Sequence, residues 1–467
     1  MAANPDLSRA EREYALQQLL MLADSSASMF LSTLADSDPG RGAERRIVAR
    51  ILGDPGFANA EAALLDATFS TDFFLVLAAR ESLARIYSRK EDRDLYQLMK
   101  RGIPDADANA VAETTDAPEN WLALSMDTAR NRGRFRALLM QGLALKYASR
   151  GVAVPELLAL IIWDSLLDGD RDLRLAAVEA ARVSESSQAP ERLAAFLYSE
   201  NDAELLIAAL RALAELRPPA FGEGVERQTR HADPLVALEA LATLAAMGYD
   251  NALFPPAGGA PGRSVAAFVN HPSTPARRRA VEILADSRDP RTAEYLAFAL
   301  GDRVGPNRAA AAAAIGERGL TATIGALGPL LNDPYPEARA EAAVALNRLG
   351  VVGVTARMLD DLESDDLPLR RSAAATLGRL GDRRAVRYLR TTLSDPDLEL
   401  AVLSALALGA LGEREAESDL FQTMTAADAN PALVDAARQA LMKLYNGDDP
   451  GDTPGSRDSW ARRNGFR

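Results

Sequence analysis

Between residues 302 and 412 apolar and polar positions alternate in a helical rhythm that returns every 31 residues. Ala342, Leu346 and Leu349 lie at i, i+4 and i+7, which puts them on one face of a helix. Ala373, Leu377 and Leu380 copy that stripe one repeat later. The stretch "LGPLLNDPYPEARAEAAVALNRLG" (327–350) shows the whole unit: a short apolar helix, an Asn-Asp-Pro turn, and a second helix closing on Leu-Gly. Gly319, Gly350, Gly381 and Gly412 keep the 31-residue spacing, as do Arg277, Arg308, Arg339 and Arg370. A fixed period of this size predicts a solenoid of stacked helical hairpins. Turn residues such as Asn270, Asp302, Asp333, Ser364, Asp395 and Asn430 are expected to cap second helices, and the closing glycines to end them in the left-handed conformation.

Outside this block the rhythm loosens. Residues 1–102 read as atypical helical pairs capping one end, with Leu16, Leu19, Leu20 and Ala23 on one face and Phe69, Phe73 and Leu77 on another. Residues 103–150 form an acidic and then basic irregular segment with a helix, and "ARNRGRFR" (129–136) reads as a solvated first turn. Less regular repeats fill 151–263, where Leu157–Trp163 reads as a buried helical segment. The regular array occupies 264–445, and 446–467 is a tail whose Trp460 and Phe466 could fold back on the last repeat. About a dozen hairpins fit the chain, so the expected class is an all-α, α-α superhelix.

The phrase L-x-x-x-L-x-[DN]-x-x-x-x-x-R-x-x-A-x-x-x-L-G-x-L-G, followed at 327–350 except for Asn347 and at 358–381 except for Met358 and Ser364, resembles short HEAT-like repeats of the phycobilisome-lyase type. That resemblance implies a curved right-handed superhelix whose second helices line a concave, protein-binding surface. It implies no activity by itself.

Composition narrows the chemistry. The formal charge of −13 disfavours nucleic acid and anionic membranes as partners. The absence of cysteine removes disulfides, thiol catalysis and thiolate metal sites. His231 and His271 are the chain's two histidines, and neither precedes Glu as the di-iron hydroxylase branch of the resembling family would require. Both sit at turn positions, so they read as turn residues and not as catalytic bases. The acids of "DGDRD" (168–172) lack the glycine and glutamate of a calcium loop. No catalytic residue, cofactor or metal is expected. No apolar run nears the roughly 20 residues of a membrane span, and the expected compartment is cytoplasmic, with export open if a leader was removed.

One series remains. Arg174, Arg308 and Arg339 each follow a turn aspartate (Asp168, Asp302, Asp333) by six residues, and Arg277 and Arg370 hold the same slot behind His271 and Ser364. They are expected to form a ladder, each guanidinium bonding turn groups of its own or the neighbouring repeat. If exposed, such pairs would add only about 0–1 kcal/mol apiece. Arg278, Arg279 and Arg371 fall outside the ladder and are the candidate partner-binding residues. The expected function is a non-enzymatic scaffold for protein partners of unspecified oligomeric state. The alternatives are a phycobilin-lyase-like binder of an anionic small molecule and a structural component of an envelope or organelle assembly.

Overall fold

The computed structural model describes residues 42–53, 60–68, 70, 72–101, 129–218, 220–255, 263–426, 430–451 and 453–465. The expected face of Leu16, Leu19, Leu20 and Ala23, Phe69, the acidic stretch before Ala129, residues 256–262 and Phe466 lie outside them. Among the described residues every regular element is an α-helix or a 3-10 turn, with no strand. None of these helices is long and apolar enough to cross a membrane. The chain groups into two compact units, Met1–Tyr249 and Asp250–Arg467.

The first unit holds α1 (Gly42–Ile51), α2 (Ala60–Ala67), α3 (Phe73–Ser88), α4 (Asp92–Arg101), α5 (Ala129–Arg150), α6 (Glu156–Leu166), α7 (Arg171–Arg182), α8 (Ala189–Ser199), α9 (Ala203–Leu216), α10 (Gly222–Gln228) and α11 (Pro234–Ala246). Helices α3, α5, α7, α9 and α11 pack each on the next, and the shorter helices between them complete the hairpins. Asp170, Asp202 and Asp233 cap α7, α9 and α11 by accepting helix N–H groups, which their short side chains do at little entropic cost.

Three expectations change here. The segment 129–136 starts a helix as expected, the 22-residue α5, but this first part is not wholly solvated, since Gly133 and Phe135 are buried. Phe73 and Leu77 face outward, because α3 buries Leu75, Ala78, Ala79 and Leu83 against α1 and α5. Leu157 and Leu160 are likewise exposed on α6, while Leu158, Ile161, Ile162 and Trp163 are buried. A continuous apolar run shows that a helix is well supplied with core residues, but not which side of it is covered.

The second unit holds α12 (Asp250–Leu253), a 3-10 turn (Val265–Asn270), α13 (Thr274–Asp286), α14 (Thr292–Ala299), α15 (Gly305–Arg318), α16 (Ile324–Leu327), α17 (Pro336–Arg348), α18 (Val354–Leu362), α19 (Leu367–Leu380), α20 (Val386–Thr391), α21 (Leu398–Leu411), α22 (Glu417–Thr425), α23 (Pro431–Leu444) and α24 (Pro454–Asn464). Second helices α13, α15, α17, α19, α21 and α23 stack in sequence. Ala342, Leu346, Ala373 and Leu377 are buried in that stack. Prolines occupy the first turns of α13, α15, α17, α19 and α23, where no N–H partner is lost. Gly319, Gly350, Gly381 and Gly412 have φ between 64° and 81°, which admits glycine readily and other residues with strain.

A second glycine series lies inside the helices. A Cβ on Gly316, Gly378 or Gly409 would stand 2.7, 2.7 or 2.5 Å from the Cα of Ala345, Ala407 or Ala440 on the next second helix. These glycines let successive backbones touch, and the equivalent position 347 carries asparagine. Residues 446–465 hold the expected fold-back of Trp460 onto the last repeat. Thr453 and Ser456 form a capping box that starts α24. Trp460 is fully buried, with its ring against Phe421 and Tyr445 and its Nε1 donating to the Asp448 carbonyl at 3.1 Å. The helix thus covers α22 and the end of α23.

Gly378→Ala and Gly409→Ala should each destabilise the second unit by about 1–3 kcal/mol, because overpacking outweighs the gain of about 1 kcal/mol in helix propensity. Gly455→Ala in α24, where an added Cβ meets nothing, should be neutral or stabilising, as read by chemical denaturation. Trp460→Ala should cost about 3–5 kcal/mol locally and speed amide exchange in α22 and α23 first.

Candidate functional site

The conspicuous polar constellation in the second unit is the row of arginines behind each turn. Arg277, near the start of α13, donates through Nε and Nη2 to both oxygens of Asp302 in the next turn, at 2.6 and 3.0 Å. Its Nη1 donates backward to the carbonyls of His271 and Pro272 at 3.0 and 3.1 Å. Arg308 repeats the arrangement on Asp333, at 2.6 Å for both bonds, and on the Asp302 carbonyl at 2.7 Å. Each guanidinium therefore clamps its own turn and the following one. Arg370 reaches Asp395 at 3.3 Å. In the first unit Arg174 takes Glu200 at 2.8 Å and the Asp168 carbonyl at 2.8 Å, while Arg136 takes the Asp168 carboxylate at 2.7 Å.

The turn acids serve a different bond from the expected helix cap. Asp302 and Asp333 accept the N–H two residues on, from Val304 and Tyr335, at 2.8 Å each, and α15 and α17 receive no side-chain cap. This turn bond frees the other lone pairs of each carboxylate for the arginine. His231 and His271 do the same through Nδ1, accepting from Asp233 and Ser273 at 3.0 and 3.1 Å. His271 also stacks on Phe268. The Nδ1 atom of each histidine is thus committed to its own turn.

These rungs are not surface pairs. The side chains of Arg277 and Asp302 are each 4% exposed, so the 0–1 kcal/mol expectation does not apply to them. Burial pushes the Asp302 carboxyl up, but Arg277, the Val304 N–H and the Asn307 amide outweigh it and hold the group below the usual carboxylate range. Asp333 is held down in the same way, burial being outweighed by Arg308 and the Tyr335 N–H.

The sequence profile described as HEAT repeats matches residues 263–347 and 298–376. Residues 263–376 of this chain are HEAT-like repeats. No curated protein sequence matches the chain. Among solved structures, the Kap95:Nup1 complex aligns at 14% identity over 99% of this chain and 68% of that one, with a TM-score of 0.46. Yeast importin-β (Kap95p) gives 14% over 98% and 68%, with a TM-score of 0.44, and human deoxyhypusine hydroxylase gives 16% over 62% and 96%, with a TM-score of 0.23.

Within these HEAT-like repeats Arg278, Arg279 and Arg371 also have partners inside the chain. Arg278 bonds Glu282 at 3.0 Å and the Pro306 carbonyl at 2.9 Å, and Arg279 bonds Glu282 at 3.3 Å. Arg371 grips Asp397 at 2.9 and 2.5 Å and also pairs with Glu399, which ties α19 to α21. None of the three is a spare cation, so a charge reversal at Arg371 would test repeat stacking as much as partner binding. No cluster of three or more potential metal ligands occurs among the described residues.

Sequence reasoning missed two features. Arg136 adds a rung ahead of Arg174 in the first unit, and the signal was present in its 32-residue distance from Asp168. The buried Lys146 donates to the Lys90 carbonyl at 2.7 Å and to Asp92 at 2.6 Å, and Tyr147 donates to the same carboxylate at 2.8 Å. This knot joins α4 to α5 and has no repeat partner that could have announced it.

Asp302→Asn should cost about 3–5 kcal/mol, since it strands the Arg277 cation in a dry seam, and the paired change Arg277→Met/Asp302→Leu should cost less. Because Asp302 and Asp333 have lowered pKa values, their stabilisation is complete above about pH 4, the unfolded carboxylate value, and is lost as pH falls through the folded values. Thermal scans from pH 7 to pH 2 should show that acid loss, with a shallower slope in Asp302→Asn.

Proposed function

We propose that this chain is a non-enzymatic scaffold that receives a protein partner along the outward face of its stacked second helices. The observation that carries the reading is a half-exposed row of small and apolar side chains on the second unit. Ala310 and Ala313 on α15, Ser372 and Ala375 on α19, and Leu403 and Leu406 on α21 stand in the same register. On α17 the same two stations hold Glu341 and the buried Val344. The short side chains of α15 and α19 leave room for a partner helix or extended segment to approach the backbone, and the leucines of α21 offer it apolar contact. The charges along the face are already paired between repeats, as in Arg379 with Glu341 at 2.8 Å, so the face is ordered before binding. Preorganisation lowers the entropic cost of association. Arg278 and Arg279 border the row on α13 and are the residues best placed to exchange Glu282 for a partner carboxylate.

Proteins captured from the native source should lose affinity about tenfold or more when Ala313→Arg and Ala375→Arg are introduced. Arg387→Glu, on the first helix α20, should leave capture unchanged, with melting curves confirming that each variant is folded. Equal capture by all three variants would overturn the assignment of this face. A melting shift with tetrapyrroles or nucleotides, abolished by the same alanine changes, would instead favour an anionic small molecule as its occupant.

A further inference from the structure

One rung of the ladder lacks its anion. Arg277, Arg308 and Arg370 each reach a carboxylate 25 residues downstream. For Arg339 that position is Ser364. Arg339 is only 9% exposed, and its Nε has no hydrogen-bond acceptor. Its Nη1 donates to the Asp333 carbonyl at 2.7 Å, as Arg308 does to the Asp302 carbonyl. That shared bond sets the guanidinium in the pose which, in Arg308, turns Nε and Nη2 onto the next turn. Ser364 holds the matching turn station, with its Oγ accepting from the Asp366 N–H at 3.1 Å. Arg370, six residues after Ser364, also has a buried Nε without an acceptor. At the turn station where the neighbouring rungs place a carboxylate, between Arg339 and Arg370 in the series, the chain carries a neutral hydroxyl.

The same joint differs from its neighbours in a second way. Gly316, Gly378 and Gly409 bring their helices into backbone contact with the next, but α17 carries Asn347 at the equivalent position. The α17–α19 joint therefore lacks the bidentate arginine rung and the glycine contact of the α15–α17 joint, and is tied instead by Asn347, which donates to the Leu380 carbonyl at 3.4 Å, and by Arg379 on Glu341 at 2.8 Å.

We propose that Ser364 is a phosphorylation site whose phosphoryl group supplies the missing anion to Arg339 and tightens the α17–α19 joint. The Ser364 Oγ attacks the γ-phosphorus of ATP, the bond between that phosphorus and the β–γ bridging oxygen breaks, the hydroxyl proton passes to the base of the kinase, and ADP leaves. Phosphoserine carries a charge of about −1.5 to −2 and three strong acceptors, which extend past the hydroxyl to where a carboxylate would stand. Ser364 is half-exposed in a turn and flanked by exposed Glu363, Asp365 and Asp366. Those carboxylates fit the basic substrate groove of an acid-directed serine/threonine kinase. They also repel the added phosphate, so the stabilisation depends on the buried cation.

The full chain, treated with ATP and an acid-directed kinase, should be modified at Ser364 by mass spectrometry. Amide exchange across α17 and α19 should then slow by about tenfold, the scale of one or two charge-assisted hydrogen bonds. Arg339→Gln should still be modified but show no slowing, and Ser364→Asp should slow exchange in the unmodified chain only when Arg339 is present. The proposal is overturned if folded chain is not modified at Ser364, if modification leaves exchange unchanged or faster, or if Arg339→Gln slows equally. Inorganic phosphate added to unmodified protein separates the two sources of phosphate: the same slowing from it alone would mean a bound ion, and would also overturn the modification.

Discussion

A guanidinium taken out of water between two turns must find acceptors on both, and this requirement sets how one repeat sits on the next. Arg277 meets it with the His271 and Pro272 carbonyls behind and the Asp302 carboxylate ahead. A pair this dry is a poor source of net stability, because desolvation cancels much of the Coulombic gain. Its consequence is geometric. A shift of one repeat along the next would leave a buried cation facing nothing, so the rungs select one stacking register from those that the apolar seams would tolerate.

The stabilising energy comes from the seams themselves. Alanine and leucine from adjacent second helices are buried together, and the helix-interior glycines allow the backbones to meet. Each repeat touches mainly its neighbours, so a defect stays local and an end must be covered. The α24 helix covers one such end by burying Trp460 against Phe421 and Tyr445. The same locality is what makes a single altered joint, as at Asn347 and Ser364, mechanically distinct from the joints on either side.

A row of rungs also shapes the surface available to a partner. Charges on successive helices satisfy one another across repeats, which leaves small and apolar side chains as the accessible middle of the second-helix face. Such a face offers shape and order more than charge.

The sequence by itself determined the hairpins, their 31-residue period, the left-handed glycines and the arginine slot, because each of these is written in local spacing that a helix or turn converts directly into geometry. The arginine series announced that something recurred at the turns, but not that the bonds run both backward and forward. Only the tertiary structure decided that Phe73, Leu77, Leu157 and Leu160 face outward, that α5 begins inside the array, and that Arg371 is bound to Asp397. Periodicity names the faces of a helix, whereas the helices packed around it choose which face is covered. Trp460 shows the same division: its sequence marked it as unusual for a tail, and the pocket between Phe421 and Tyr445 exists only once α22 and α23 have been brought together.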